Sequence, residues 1–138
     1  NAVTIPELGT ITAEVPPLGV STSNRTREVH DALKRRCLYH WIDYPSARRE
    51  AEIVRRRVPG TARSLAIEVA GALARLRSSD VQKPPGIAEA IDWVAALEEL
   101  GLATLDAAGA HRTLGSVLKD REDQQLVRER GLEWLTHG

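Results

Sequence analysis

Residues 21–45 read STSNRTREVHDALKRRCLYHWIDYP, and the parsing of this stretch decides the fold. A polar run, Ser21-Thr22-Ser23-Asn24, follows the apolar Leu18-Gly19-Val20 directly. A helical turn is predicted over residues 28–33, ending in three cations, Lys34, Arg35 and Arg36. An apolar and aromatic segment follows, and Pro45 closes it. Residues 18–23 and 38–42 read as strands by their β-rich composition. A buried strand ending in an amide would point Asn24 out of the sheet's carboxyl edge, where open α/β folds bind ligands. The plain alternative for Asn24 is an Asx-turn closing the strand. A cation pair at the end of a short helix suits a phosphate held between subunits. The plain alternative is a solvated basic helix end, favoured by the helix dipole.

These residues carry a resemblance. The stretch resembles the second half of an AAA+ ATPase core of the MoxR type, and most of all the subgroup found with carbon monoxide dehydrogenase maturation genes. Ser21 to Asn24 matches the end of the family's sensor 1 strand, usually read T-Q-N, which puts Asn24 on the sensor amide. The run Ala32-Leu33-Lys34-Arg35-Arg36-Cys37 matches the family's A-L-L-D-R-F, which puts Arg36 on the arginine finger. The family's Asp is Arg35 here and its Phe is Cys37, so Arg35 stays open as the alternative finger. The resemblance runs over nearly the whole chain and is looser beyond Pro45. It implies a mainly α chain in two parts. Residues 1–45 would be the end of an α/β core: a hairpin, the sensor 1 strand, the arginine-finger helix and a last strand. Residues 46–138 would be a helical lid of four to five helices. The implied parent is a chaperone-like remodelling ATPase that uses ATP and Mg. It would form a homo-oligomeric ring, usually hexameric, and work with a von Willebrand factor A-domain partner in maturing metal-cofactor complexes.

No G-x-x-x-x-G-K-S/T loop occurs, and no β-rich, strand-like apolar run ends in adjacent acids. The phosphate cradle and the magnesium-holding acid are therefore outside this sequence, and in the family both lie upstream. Methionine is absent and Asn1-Ala2 resembles a scar of tag cleavage, so the expectation is an excised fragment whose native sequence starts at Val3. Such a fragment is expected to bind no ATP and to be inactive by itself. Net charge is zero across 138 residues, which gives no general pull toward nucleic acid or anionic membrane. The single cysteine excludes an intrachain disulfide and suits a reducing, cytoplasmic compartment. No apolar run approaches the roughly 20 residues of a membrane span.

Along the chain, residues 3–7 and 10–15 alternate and are β-branched, with Leu8-Gly9 between them, as in a hairpin. Ser46 is the expected N-cap of a helix to about Val58, with Ala47, Ala51, Val54 and Val58 on one stripe. Thr61 is expected to cap the next helix, whose stripe is Leu65, Val69, Leu73 and Leu76 and whose end is Ser78-Ser79-Asp80. A helix over residues 87–100 would bury Ile87, Ile91, Val94 and Leu97 and stop at Gly101. Asp106 would cap a helix to about Leu118. Residues 121–135 read as one last helix anchored by Leu126, Leu132 and Trp134.

The lid of such ATPases carries a sensor 2 arginine at the start of its third helix. Here Lys83-Pro84-Pro85-Gly86-Ile87 holds no arginine, and Lys83 is the substitute candidate for nucleotide contact, a point charge without arginine's planar fork. Arg25 and Arg27 flank the sensor. Arg55-Arg56-Arg57 reads as a solvated helix face. Cys37-x-x-His40 with His30 has a faint metal-site pattern, but residues three apart on a strand face opposite sides, and no metal is expected. The alternatives to the ATPase fragment are a small helical nucleic-acid-binding module and a helical protein-interaction domain. Strands 18–23 and 38–42, without their sheet, would expose edges that recruit another chain.

Overall fold

The computed structural model describes residues 2–12, 14–15, 18–23 and 31–136. The chain divides into two units, Asn1–Ile42 and Asp43–Gly138. It is mainly helical, with one short two-stranded sheet near the N-terminus.

In the first unit, β1 (Ala2–Ile5) and β2 (Gly9–Thr12) form an antiparallel hairpin, Ala2 opposite Thr12 and Ile5 opposite Gly9. Gly9 takes a φ of +79°, which lets β2 start at once after the turn. Pro6 lies in the turn, where its missing N–H costs no ladder bond. The Thr4 and Thr10 hydroxyls hydrogen-bond across the strands at 2.9 Å. A single helical turn, α1 (Asp31–Lys34), follows later. The earlier part of the expected helix over 28–33 lies outside the described residues.

Two expected strands do not form. Residues 18–23 and 38–42 belong to no helix or sheet. Leu18, Val20, Leu38 and Ile42 are all more than four-fifths exposed. β propensity reflects packing against neighbours more than a backbone preference. Among the described residues these segments have no neighbouring strand.

The second unit is built from α2 (Ala47–Arg57), α3 (Arg63–Arg77), α4 (Ile87–Glu99), α5 (Ala107–Val117), α6 (Arg121–Arg130) and α7 (Glu133–Thr136). α3 is the centre, packed against α2, α4 and α7. Its stripe of Leu65, Val69, Leu73 and Leu76 is at most 1% exposed. Ser46 caps α2, its Oγ accepting from the Arg49 N–H. Pro59-Gly60 turns the chain, and Gly60 adopts a φ of +100°. The N-cap of α3 is Ala62 rather than Thr61. The Thr61 hydroxyl instead donates back to the Val58 carbonyl at 2.9 Å, closing the end of α2.

α4 ends in a Schellman motif: Gly101 N–H to Glu98 O at 2.8 Å and Leu102 N–H to Leu97 O at 3.0 Å, with Gly101 at φ +69°. Its buried arc is Ala90, Trp93, Val94 and Leu97, while Ile87 and Ile91 are half-buried, a rotation of the expected face. The fully buried Trp93 donates its indole N–H to the Thr113 hydroxyl at 2.7 Å, which donates in turn to the Gly109 carbonyl at 2.7 Å. Every polar atom of that chain is satisfied inside the core. The expected last helix is two, because Gly131 at φ +87° breaks it. Val127 and Leu132 are buried, while Leu126 and Trp134 are half-buried at the margin.

Asp106 caps α5 by accepting from the Gly109 N–H at 2.6 Å. Asp106→Ala orphans that donor, so we expect a loss of about 1 kcal/mol, read as a lower urea midpoint at unchanged slope.

Candidate functional site

α1 positions the two arginines. The Arg35 N–H bonds the Asp31 carbonyl at 3.0 Å and the Cys37 N–H bonds the Lys34 carbonyl at 3.5 Å, so residues 35–37 form a tight turn off the helix end. Lys34 is held in a 3.6 Å ion pair with Asp31. Arg35 and Arg36 are exposed, and among the described residues no carboxylate lies within ion-pair distance of either. Two guanidinia on consecutive residues of one turn thus stand open to an anion. Asn24, and with it Arg25, Arg27 and His30, lies outside the described residues.

Lys83 belongs to the other unit, on the loop between α3 and α4. Its ammonium bonds Asp120 at 2.8 Å. Its backbone N–H and that of Gln82 both donate to the buried Asp123 carboxylate, at 3.0 and 2.8 Å. The hydrogen bond and charge of Asp120 raise the Lys83 ammonium above its ordinary pKa, and the same bond with that of the Glu122 N–H lowers the Asp120 carboxyl. The contribution of this pair is therefore present between the two titrations. It is lost as pH falls through the lowered Asp120 value or rises through the raised Lys83 value. Solvent screens the pair, so it is a small one. Lys83 is a tied cation, unlike Arg35 and Arg36.

Arg55, Arg56 and Arg57 are exposed on the last turn of α2, and no carboxylate among the described residues pairs with them. Cys37 is an exposed free thiol. With no strand at 38–42, the strand-facing argument about Cys37 and His40 loses its premise. Among the described residues no group of three His, Cys, Asp or Glu side chains is arranged to hold a metal ion. An open depression of about 390 Å³ is lined by Ala107, Ala108, His111, Arg128, Gly131, Leu132 and Glu133. None of the candidate site residues named from the sequence lines it.

The pattern reading missed the polar hub of the second unit. Glu50 is fully buried and takes a bidentate bond from Arg77 at 2.8 and 2.7 Å. The Arg77 Nε–H donates to the Pro85 carbonyl at 2.7 Å, and its guanidinium lies 4.2 Å from the Tyr44 ring centroid. One side chain thus joins α2, α3, the loop before α4 and the segment before α2. A signal was present: Glu50 sits four residues before Val54, on the arc that α2 buries. No protein-family profile, no curated protein and no solved structure matches the chain.

Proposed function

We propose that the chain is the C-terminal part of a MoxR-type AAA+ ATPase, an ATP-driven, chaperone-like maturation factor acting as a homo-oligomeric ring. The observation that carries this reading is the turn after α1. It presents Arg35 and Arg36 together, exposed and, among the described residues, without a carboxylate partner, at the positions where the resemblance puts the arginine finger. A planar guanidinium donates two parallel N–H bonds to phosphate oxygens and stays charged at all working pH values. Held at a subunit edge, it neutralises charge that builds on a neighbour's γ-phosphate during transfer. The separate helical unit from Asp43 takes the place of the lid.

The residues present fit one side of a nucleotide site only. ATP and Mg would be bound by the phosphate loop and acids of a neighbouring subunit, and this chain would supply the charge. Asn24 would act instead on the nucleotide of its own subunit, orienting the attacking water through an amide that both donates and accepts. Localisation in the cytoplasm and a von Willebrand factor A-domain partner belong to the same reading. No described helix is long and apolar enough to cross a membrane.

Two observations test this. The gene's reading frame upstream of Val3 should encode G-x-x-x-x-G-K-S/T, followed by an apolar strand ending in acids. The 138-residue chain titrated with Mg-ATP in a calorimeter should give no micromolar binding. Tight, magnesium-dependent binding to the chain alone, or an upstream frame lacking the phosphate loop, would overturn the reading.

A further inference from the structure

The depression between α5 and the α6–α7 corner has no part in the ATPase reading. Its α5 side is Ala107, Ala108 and His111, which share a face at i, i+1 and i+4 spacing. Its other side comes from Arg128 on α6, Glu133 on α7 and the Gly131-Leu132 corner between them. At about 390 Å³ it falls at the small end of the ~300–1,000 Å³ range of small-molecule sites. The two alanine methyls and Leu132 supply apolar lining. Gly131 holds a φ of +87°, and a Cβ there would come within 2.9 Å of the Glu133 Oε2. That carboxylate therefore lies against the corner itself.

The charges around the corner are not equivalent. Arg130 stacks on the Trp134 ring at 4.3 Å, and Glu129 accepts from the Gln125 amide at 2.8 Å. Arg128 differs from both. Among the described residues its guanidinium makes no hydrogen bond, ion pair or ring contact, although the Glu133 carboxylate lines the same depression. A last-turn arginine that serves only the α6 dipole needs no depression beside it. Glu133 makes a contact of its own, and a carboxylate has acceptor sites for several donors.

We propose, independently of the ATPase reading, that this depression binds a free α-amino acid with an aliphatic side chain. A zwitterion answers the lining group by group. Its carboxylate takes two parallel N–H bonds from the planar Arg128 guanidinium. Its ammonium donates to Glu133, whose two oxygens accept more than one donor. Its side chain covers Ala107, Ala108 and Leu132, and His111 offers a ring nitrogen from the α5 side. A simple anion would meet Glu133 uncompensated, and a simple cation would meet Arg128, so each is disfavoured by one like charge.

Leucine is the probe. The site is open and the ligand has few atoms, so a dissociation constant of about 1 mM is expected. Backbone amide spectra of the 138-residue chain, titrated to about 20 mM leucine, should show saturable shifts at Ala107, Ala108, Gly131 and Leu132. Arg128→Gln should weaken binding at least about tenfold and Glu133→Gln about fivefold, the range for hydrogen bonds to charged groups. Both side chains are exposed, so the spectra of the two variants should otherwise match that of the unsubstituted chain. Leucinamide, which lacks the carboxylate, and N-acetyl-leucine, which lacks the ammonium, should each bind at least about fivefold more weakly than leucine. Corner amides that do not move would overturn the proposal. So would leucine binding that is indifferent to either substitution. N-acetyl-leucine binding as tightly as leucine would also overturn it, and would assign the depression to the terminal carboxylate of a peptide.

Discussion

Glu50→Ala is expected to destabilise the helical unit by about 3–5 kcal/mol, the range for removing one partner of a buried ion pair. Glu50 is fully buried, and the Arg77 side chain is only 10% exposed. Removing the carboxylate leaves two guanidinium donors with no acceptor in a dry site, and adds a cavity between α2 and α3. Arg77 is not free to swing to water, because its Nε–H holds the Pro85 carbonyl and its face packs on Tyr44. Urea unfolding followed by circular dichroism reads the loss. The double substitution Glu50→Leu with Arg77→Leu is expected to be milder than Glu50→Ala alone, since no uncompensated charge remains. If Glu50→Ala costs less than about 1 kcal/mol, a value typical of an exposed pair, the pair is solvated in solution and the hub is not what joins these helices.

Arg36→Ala, made in the full-length protein of the proposed reading, is expected to lower kcat by about two to three orders of magnitude with nucleotide affinity little changed. The reason is geometric. A guanidinium lent across a subunit boundary touches the γ-phosphate chiefly as charge develops, so its loss appears in turnover rather than binding. Rings mixing Arg36→Ala subunits with subunits whose phosphate loop is disabled should regain activity at the boundaries where an intact finger meets an intact loop. Asn24→Ala should lower kcat to a similar degree without such rescue, because the amide serves its own subunit's site. A severe Arg35→Ala beside a mild Arg36→Ala would move the finger one residue back along the turn. Full activity in both single variants and in the double would remove the arginine-finger role altogether.

The second unit was legible wherever a local rule acts alone. Ser46 and Asp106 cap as short polar side chains before apolar periodicity do. The Leu65, Val69, Leu73, Leu76 stripe is the buried face of α3. Gly101 ends α4 because the Schellman turn needs a left-handed residue. What failed required knowledge of a neighbour. Thr61 and Ala62 sit in adjacent positions, and the choice of cap turned on the Val58 carbonyl being free to take the hydroxyl. Trp93 outweighed Ile87 and Ile91 because Thr113, on another helix, answers its indole N–H. Residues 18–23 and 38–42 have the composition of strands, but a strand is a property of a pair, and composition names only one member. For the candidate site, the sequence named Arg35 and Arg36 as cations after a helical turn. Only the geometry separates them from Lys83, another cation of similar promise that is already tied to Asp120.

The Arg75 guanidinium reaches across 60 positions to the Leu135 carbonyl, its Nε–H donating at 3.0 Å. That bond fixes when the helical unit can be completed during synthesis. α2 and α3 can pair as a local hairpin soon after they leave the ribosome, but the central helix keeps one face bare until the closing turn arrives. Domains fold as units as the chain emerges, and contacts distant in sequence form late. A pause in translation after α5 would therefore leave an apolar groove along α3 for the whole of that pause. A nascent chain from which Leu135 has yet to emerge is the species a cellular chaperone would meet, and one that has released it is not.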